Sequence, residues 1–506
     1  MRAAKNIPWL ILAIVALAAF LRFLGLSSES LWGDEAYSVH VGQTSVISII
    51  QTSINSDTHP PLYYLMLHFW MLLFGQSEIA VRALSACLGI ISVLLIYKVG
   101  RELYNSKIGL IASLLMTIST FAIYSSQEAR QYSLLLLLTL LSFLFFIRII
   151  KADKPNKLLL LCYSLTNILI CYTHLFGLFA VGAQVLYFLL FRRRYVKAKS
   201  IFWVAQVVTL ISFSPWIYVL VTKTFQGAIH GLDWIPETSF TQVAHAFAKL
   251  SDAASLYLPL GILLMLTLIS LGLAAVFCSP RIQQQHDSTA PLQSTRLRRL
   301  ATSIAEPRTA LLLFWFFFPV VMTLIFSLTA RPMFESRYLI EITPAIYLLT
   351  ARGIDNINSL VKTRAVRANS VTFTLIALIT FISIPGLYNY YTHPGKEQWR
   401  ETTTFIEQRV KPDDAIVLLP DYLGNAFNYY YKGNTEILVI PSDVIKNEEP
   451  IIGKDRLWLI YTTYESTKDA SLKMKSTLFA RYGSDSIILY EGFQWIAVYL
   501  LDIKER

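Results

Sequence analysis

The chain has 506 residues, of which 55% are hydrophobic and only 15% charged, and its mean hydropathy is +0.50. A soluble protein of this size carries roughly a quarter charged residues, and apolar runs near the twenty residues needed to cross a bilayer recur along the sequence. That excludes an ordinary soluble protein. The formal charge of +11 does not point to nucleic acid, because the Lys and Arg residues fall in short connectors between apolar runs, which is the pattern of topology signals.

The first run, 7–26, lacks a small-x-small cleavage site and reads as a retained span rather than a signal peptide. Spans are expected at about 8–26, 80–101, 107–124, 131–150, 157–173, 175–191, 199–221, 254–278, 308–330, 338–353 and 369–388, about eleven in all. Cys87, Cys162, Cys171 and Cys278 lie in or beside these runs, and no Cys-x-x-Cys pair exists. Neither a disulfide frame nor a thiolate metal site is supported.

The stretch 61–75 is too short to span. As a helix it rises about 22 Å against a hydrocarbon core of about 30 Å. Leaving it out, with a cytoplasmic N-terminus, places Arg101, Lys107, Lys151, Lys154 and Lys157 inside, followed by Arg192, Arg193, Arg194, Lys197 and Lys199. Arg281, Arg296, Arg298, Arg299, Lys362, Arg364 and Arg367 follow the same way. Counting it as a span would turn every cluster outward, against the positive-inside rule. The stretch is therefore expected along the outer interface, with Tyr63, Tyr64 and Trp70 at headgroup level. Asp34, His59, Glu128, His174, Asp233 and Arg337 then all fall on the extracytoplasmic side.

A connector at 279–307, rich in Gln, Ser, Thr and Arg, reads as a poorly ordered cytoplasmic loop. Beyond Pro385-Gly386 the composition turns soluble. An amphipathic helix at 398–410 precedes short apolar runs at 415–419, 437–440, 457–461, 486–490 and 495–501. Bounded by turn residues, these are expected to be strands. The organisation is thus a transmembrane domain, 1–388, with a first outer loop at 27–79, and a small extracytoplasmic α/β domain, 389–506.

Three motifs occupy the outer loops: Trp32-Gly33-Asp34-Glu35-Ala36-Tyr37, Thr58-His59-Pro60-Pro61-Leu62-Tyr63-Tyr64 and Gln127-Glu128-Ala129-Arg130-Gln131-Tyr132. Acids are costly beside hydrocarbon, so carboxylates held at the membrane face have chemical work to do. The order of these motifs resembles the membrane glycosyltransferases of the GT-C superfamily, and within it the bacterial enzymes similar to protein O-mannosyltransferases and the lipid A aminoarabinose transferase. The resemblance covers residues 1 to about 390 and is strongest from 21 to 135. It implies a polytopic α-helical membrane fold with interfacial helices in the first outer loop. The implied activity is an inverting hexosyl or pentosyl transfer from a polyprenyl-phosphate sugar to a lipid, glycan or protein hydroxyl, outside the plasma membrane.

In that resemblance Asp34 is the catalytic base, Glu35 orients it or ligates a cation, and Glu128 is the second acid. His59 stands where the aminoarabinose transferases carry a Lys at the donor phosphate, a departure that leaves phosphate binding at this position open. Arg82, Arg130, Arg337 and Tyr338 are the other donor-side residues, since a guanidinium grips phosphate bidentately. Glu35 and His174 are candidates for a divalent metal, an otherwise open cofactor question. Plainer structural roles exist for each: Asp34 as a helix cap, His59 bonded to backbone, Glu128 and Arg130 as a local pair, and Arg82 and Arg337 snorkelling to headgroups. A transporter or flippase of lipid-linked saccharides is the rival from another class, and it would place ionisable groups within the spans. A sensor anchored by the membrane part would need far fewer spans.

The orientation is open to test with single cysteines placed by His59→Cys, Tyr195→Cys and Tyr430→Cys after removal of the native four. A membrane-impermeant thiol reagent on intact cells is expected to label the first and third, and the second only after permeabilisation. Labelling at 195 but not at 430 overturns the orientation.

Overall fold

The computed structural model describes residues 2–225, 235–250, 307–360, 370–393, 395–419, 421–439, 454–462, 476 and 487–502. Asp233, Cys278, the expected span 254–278 and the connector 279–306 lie outside these residues. The chain divides into two compact units. The first comprises Met1–Leu24, Ile50–Leu65 and Arg82–Tyr390, and the second Gly25–Ile49, Met66–Val81 and Tyr391–Arg506.

The first unit is helical. Its elements are α1 (Arg2–Phe23), α5 (Glu78–Leu103, whose first four residues belong to the second unit), α6 (Ser106–Ile118), α7 (Thr120–Ser126), α8 (Tyr132–Lys151), α9 (Lys157–Thr173), α10 (Gly177–Phe191), α11 (Lys199–Phe225) and α12 (Phe240–Leu250). After residue 306 follow α13 (Pro307–Thr329), a 3-10 turn at Ser336–Ile342, α14 (Thr343–Leu360) and α15 (Ser370–Thr392). Helices α3 (Val46–Asn55) and α4 (Leu62–Phe74) precede α5. Among the described residues, five helices are long and apolar enough to cross a membrane: Glu78–Leu103, Tyr132–Lys151, Val196–Thr224, Pro307–Thr329 and Thr372–Thr392. The chain is a multi-pass membrane protein; the expected count of about eleven spans is not fixed by these helices. The 13-residue α4 is short, as the sequence requires.

Two expected spans look different. The run 107–124 is broken by 66° between α6 and α7. Ser119 sits at the break with extended backbone, and its hydroxyl accepts the Ala122 N–H at 3.1 Å and the Tyr347 hydroxyl at 2.8 Å. The run 338–353 becomes the 3-10 turn and the start of α14, whose second half carries Arg352 and Asp355 and is too polar for a lipid-facing helix.

Helix packing relies on small residues and internal polar contacts, as is usual where lipid is as apolar as leucine. A Cβ on Gly109 would meet the Tyr97 carbonyl oxygen of α5, and one on Gly100 would lie 2.7 Å from the Gly109 Cα. Only glycine lets α5 and α6 meet there. Across α8, α9, α10 and α11, Ser142 donates to Asn167 at 2.6 Å and Gln184 to Ser142 at 2.9 Å. Tyr163 donates to Gln184, and Gln206 to Tyr163 at 3.1 Å. Phe143 stacks on Trp315 at 3.5 Å, whose indole N–H donates to the Glu341 carbonyl at 2.7 Å.

The second unit holds α2 (Gly33–Gly42), α16 (Trp399–Glu407), α17 (Gly424–Tyr430) and a five-stranded sheet of order β2-β1-β3-β5-β4. The strands are β1 (Asp414–Leu419), β2 (Glu436–Val439), β3 (Arg456–Thr462), β4 (Ile487–Phe493) and β5 (Ile496–Asp502). They coincide with the five apolar runs read from the sequence. β1 pairs in parallel with β2 and β3, Val417 opposite Leu438 and Leu459, while β5 runs antiparallel to β3 and β4. All six residues of β1 are buried, which explains why it reads as a continuous apolar run rather than an alternating one.

At the start of β1 the buried Asp414 carboxylate accepts Arg456 Nε and Nη2 at 2.7 and 2.6 Å, the Trp458 indole N–H at 2.8 Å and the Lys411 N–H at 2.8 Å. Asp414→Ala leaves a partly exposed guanidinium and the buried Trp458 indole N–H without their acceptor, an expected loss of about 2 kcal/mol. Amide exchange of β1 and β3 in the full-length protein measures it.

Candidate functional site

In the first unit the site begins at Asp57, two residues before His59. Its Oδ1 accepts both the His59 backbone N–H and Nδ1, each at 3.0 Å. Lys223 of α11 anchors the turn, donating to the carbonyls of Ser53 at 2.9 Å and Asp57 at 2.5 Å. Burial alone would raise the Asp57 pKa, but the hydrogen bonds and charge of His59, with Tyr64 adding to them, hold it well below the usual carboxylate range. Asp57 is thus a carboxylate that fixes the His59 ring and turns Nε2 away from it. Pro60 and Pro61 then lead into α4.

His174 follows α9 and is 4% exposed. Its Nδ1 accepts the Phe176 N–H at 3.2 Å, so the hydrogen-bond network assigns the proton to Nε2. Burial, and then the charges of His59, Arg130 and Arg337, hold its pKa well below the ordinary value. The His174 ring lies 5.4 Å from that of His59, 6.1 Å from Tyr132 and 5.3 Å from Tyr338. Four distant segments thus meet around one neutral imidazole, and two of them bring an arginine, Arg130 and Arg337. Arg337 also lies 5.8 Å over the Tyr338 ring.

The loop carrying Glu128 and Arg130 is held from both ends. Gln127 Nε2 donates toward the carbonyls of Leu21, Arg22 and Leu24 at 3.3, 3.0 and 2.8 Å, and its Oε1 accepts the Tyr390 hydroxyl at 2.6 Å. The Arg130 carbonyl accepts Ser85 Oγ at 3.3 Å, and Ser85 meets the Tyr63 hydroxyl at 3.0 Å. Glu128 is fully buried, and it and Arg337 both act electrostatically on Tyr124. Arg82, in the first turns of α5, is 2% exposed and does not snorkel outward.

Asp34 and Glu35 belong to the second unit. Helix α2 starts at Gly33 with Trp32 as its N-cap, so Asp34 lies within the first turn and does not cap it. Asp34 is half-buried and Glu35 fully buried. Glu35 Oε2 accepts Lys396 Nζ at 3.1 Å and the Trp32 N–H at 3.4 Å. Glu397 Oε2 accepts the Gly33 N–H at 2.9 Å and the Trp399 indole N–H. The two acids of the pair are therefore in different states: Glu35 is committed to Lys396, whereas Asp34 sits at the positive end of a helix.

For a divalent metal the donor set is poor. No group of three His, Cys, Asp or Glu side chains converges among the described residues, and Glu35 is engaged by an ammonium group. Sequence reasoning missed Asp57, although a short acid two residues before a His is a familiar local hydrogen-bonding pattern. It missed Lys396 and Glu397 because nothing local links them to residues 33–35. It also passed over Glu341, read as part of a span: the residue is fully buried, and its carboxyl oxygens have no hydrogen-bond partner among the described residues.

Residues 58–219 match the family described as dolichyl-phosphate-mannose-protein mannosyltransferase, a segment that holds His59, Arg82, Glu128, Arg130 and His174. The fold is shared with ArnT from Cupriavidus metallidurans in the apo state, at a TM-score of 0.60 and 13% identity over 98% of each chain. ArnT bound to undecaprenyl phosphate aligns at 0.57 and 12% over 97% of each chain. The Archaeoglobus fulgidus oligosaccharyltransferase complexed with Zn and sulfate aligns at 0.55 and 11%, over 90% of this chain and 68% of that one. No curated protein matches the sequence significantly. Over residues 58–219 the chain is thus similar to the protein mannosyltransferase family, and in fold it is similar to ArnT.

Burial raises the Glu397 pKa from 4.5 to about 7; the nearby Asp34 charge adds to this and the Trp399 and Gly33 N–H donors oppose it. The folded protein keeps this proton where the unfolded chain has lost it. The associated stability is fully present below pH 4.5 and is lost as pH rises to about 7, a cost on the order of 3 kcal/mol. Between about pH 5 and 8 the apparent unfolding temperature of the wild type is expected to fall more than that of Glu397→Gln, which cannot ionise. Parallel curves in differential scanning fluorimetry contradict this.

Proposed function

We propose that the protein is a glycosyltransferase moving a sugar from a polyprenyl-phosphate-linked donor to a hydroxyl acceptor at the outer face of the plasma membrane. The observation that carries this reading is the gathering of His59, Arg130 and Arg337 around the buried His174 ring. Two guanidinium groups held at one buried place, with Glu128 on the same loop as Arg130, suit the bidentate grip of an anionic ligand, and a lipid phosphate is an anion that reaches such a place from the bilayer. The fold shared with an ArnT bound to undecaprenyl phosphate supports that choice. Nucleotide sugars are absent outside the cytoplasm, which leaves lipid-linked donors.

In this reading the acceptor oxygen attacks the anomeric carbon while Asp34 takes its proton. The bond from that carbon to the phosphate oxygen breaks, and the electron pair leaves with the polyprenyl phosphate. Attack opposite the leaving group inverts the anomeric centre. Arg130, Arg337 and Arg82 meet the charge that grows on the phosphate, an effect strongest in a water-poor site. His59, oriented by Asp57, and His174 through Nε2–H add donors, as does the Tyr338 hydroxyl. Glu128 orients these cations and the donor sugar. Glu35, held by Lys396, is not the base. Hexose and pentose donors, and lipid, glycan and protein acceptors, all fit this scheme. The transporter or flippase reading has no observation in its favour.

Mass spectrometry of lipid that co-purifies with the protein is expected to show a polyprenyl phosphate and to name the donor for a transfer assay. Asp34→Asn keeps shape but cannot accept a proton, so turnover should fall by roughly two to four orders of magnitude with donor binding nearly unchanged. An active Asp34→Asn protein removes Asp34 from the mechanism.

A further inference from the structure

Within the second unit, the backbone leading into α2 is tied almost residue by residue to a segment more than 360 positions later in the sequence. Ser27 offers its carbonyl to Arg400 Nη2 at 3.2 Å. Glu29 Oε1 accepts the N–H groups of Gly395 and Lys396, the latter at 3.1 Å. Ser30 Oγ donates to Glu401 at 3.1 Å and accepts the Arg400 N–H at 3.1 Å. The Leu31 N–H donates to the Tyr430 hydroxyl at 2.7 Å. Gly33 is held by Glu397 and Glu35 by Lys396, as described. Arg400 and Tyr430 are themselves tied together by the Glu78 carboxylate.

Two points make this more than ordinary packing. The contacts run from Ser27 to Glu35 and so reach the first turn of α2, the turn that carries Asp34. The Lys396–Glu35 pair is also deeply buried, with side chains 5% and 0% exposed. Such a pair adds little net stability over an apolar substitute. It does place a positive charge against Glu35, the neighbour of Asp34. Glu397 is near enough for the charge of Asp34 to act on it.

We propose that the segment 395–401 with Tyr430 is a positioning element for Asp34, in which Lys396 fixes and neutralises Glu35 while Glu397 fixes the amide at the start of α2. The proposal rests on the reading of Asp34 as the base, and it gives the C-terminal α/β part of the chain a task in that reaction. Lys396 and Glu397 are positioning residues. They touch neither donor nor acceptor in the scheme above.

The test needs no donor or acceptor, so its failure is separable from that of the glycosyltransferase reading, which the Asp34→Asn transfer assay decides. Amide exchange of residues 29–36 is measured in the full-length protein. Glu397→Ala is expected to raise exchange there at least tenfold, an estimate for a local opening no longer held by its hydrogen bond. Glu397→Gln, which keeps an acceptor, should stay within about threefold. The second measurement introduces a thiol by Asp34→Cys in a chain lacking the native cysteines and follows its alkylation by iodoacetamide against pH. Lys396→Met leaves Glu35 without its counter-charge, so the midpoint should rise by about one pH unit. Lys411→Met, at an exposed lysine, should leave it unchanged. If Lys396→Met does not fold, the charge-balanced pair Lys396→Met with Glu35→Gln replaces it, and raised exchange of residues 29–36 without a midpoint shift is expected. Unchanged exchange in Glu397→Ala, or an unchanged thiol midpoint in a folded Lys396→Met protein, overturns the proposal. Exchange raised equally throughout the unit would show a general structural role and overturns it as well.

Discussion

Glu35 and Lys396 are separated by 361 positions and meet with almost no exposure to water. A lone buried carboxylate or ammonium costs several kcal/mol, so each residue offsets the burial of the other. The same constraint governs the first unit. Asp57 holds His59 and is itself placed by a lysine, the cations press on a histidine that stays neutral, and Gln127 fixes the loop that carries Glu128 and Arg130. The arrangement of chemistry-bearing groups follows from the need to satisfy each charge that leaves water.

The two histidines show what that does to residues of one type. His59 has the Asp57 carboxylate on Nδ1, which fixes the ring and leaves Nε2 facing away from that acid. His174 has a backbone N–H on Nδ1, which leaves Nε2 as a donor and the ring uncharged. Their rings are 5.4 Å apart, yet one is oriented by a carboxylate and the other by a backbone amide. A site that must hold a phosphate before and after a bond to it breaks benefits from having both.

Much of this was legible in the sequence where the cause is local. The helices of the first unit follow from the lengths of apolar runs, α4 was too short to cross, and the five strands announced themselves as apolar runs between turns. The candidate residues His59, Glu128, Arg130, His174 and Arg337 follow from motifs in loops. What was not legible has non-local causes. The break at Ser119 has no proline or glycine to mark it; it depends on Tyr347 far along the chain. The division of labour between Asp34 and Glu35 depends on Lys396, which in sequence is one lysine after the last apolar run. Glu341 looked like an incidental acid within a span because the 3-10 turn that buries it is not written in hydrophobic periodicity.

The contact between Gly100 and Gly109 bears on how sequences of this kind should be read. Neither glycine has chemistry to offer, yet the backbones of α5 and α6 leave no room for even a methyl group. Natural drift at those positions would be purged as strictly as at the residues that handle substrate. Among diverged relatives, then, the most constant letters need not outline where the reaction happens. Some of them record only how close two helices must come.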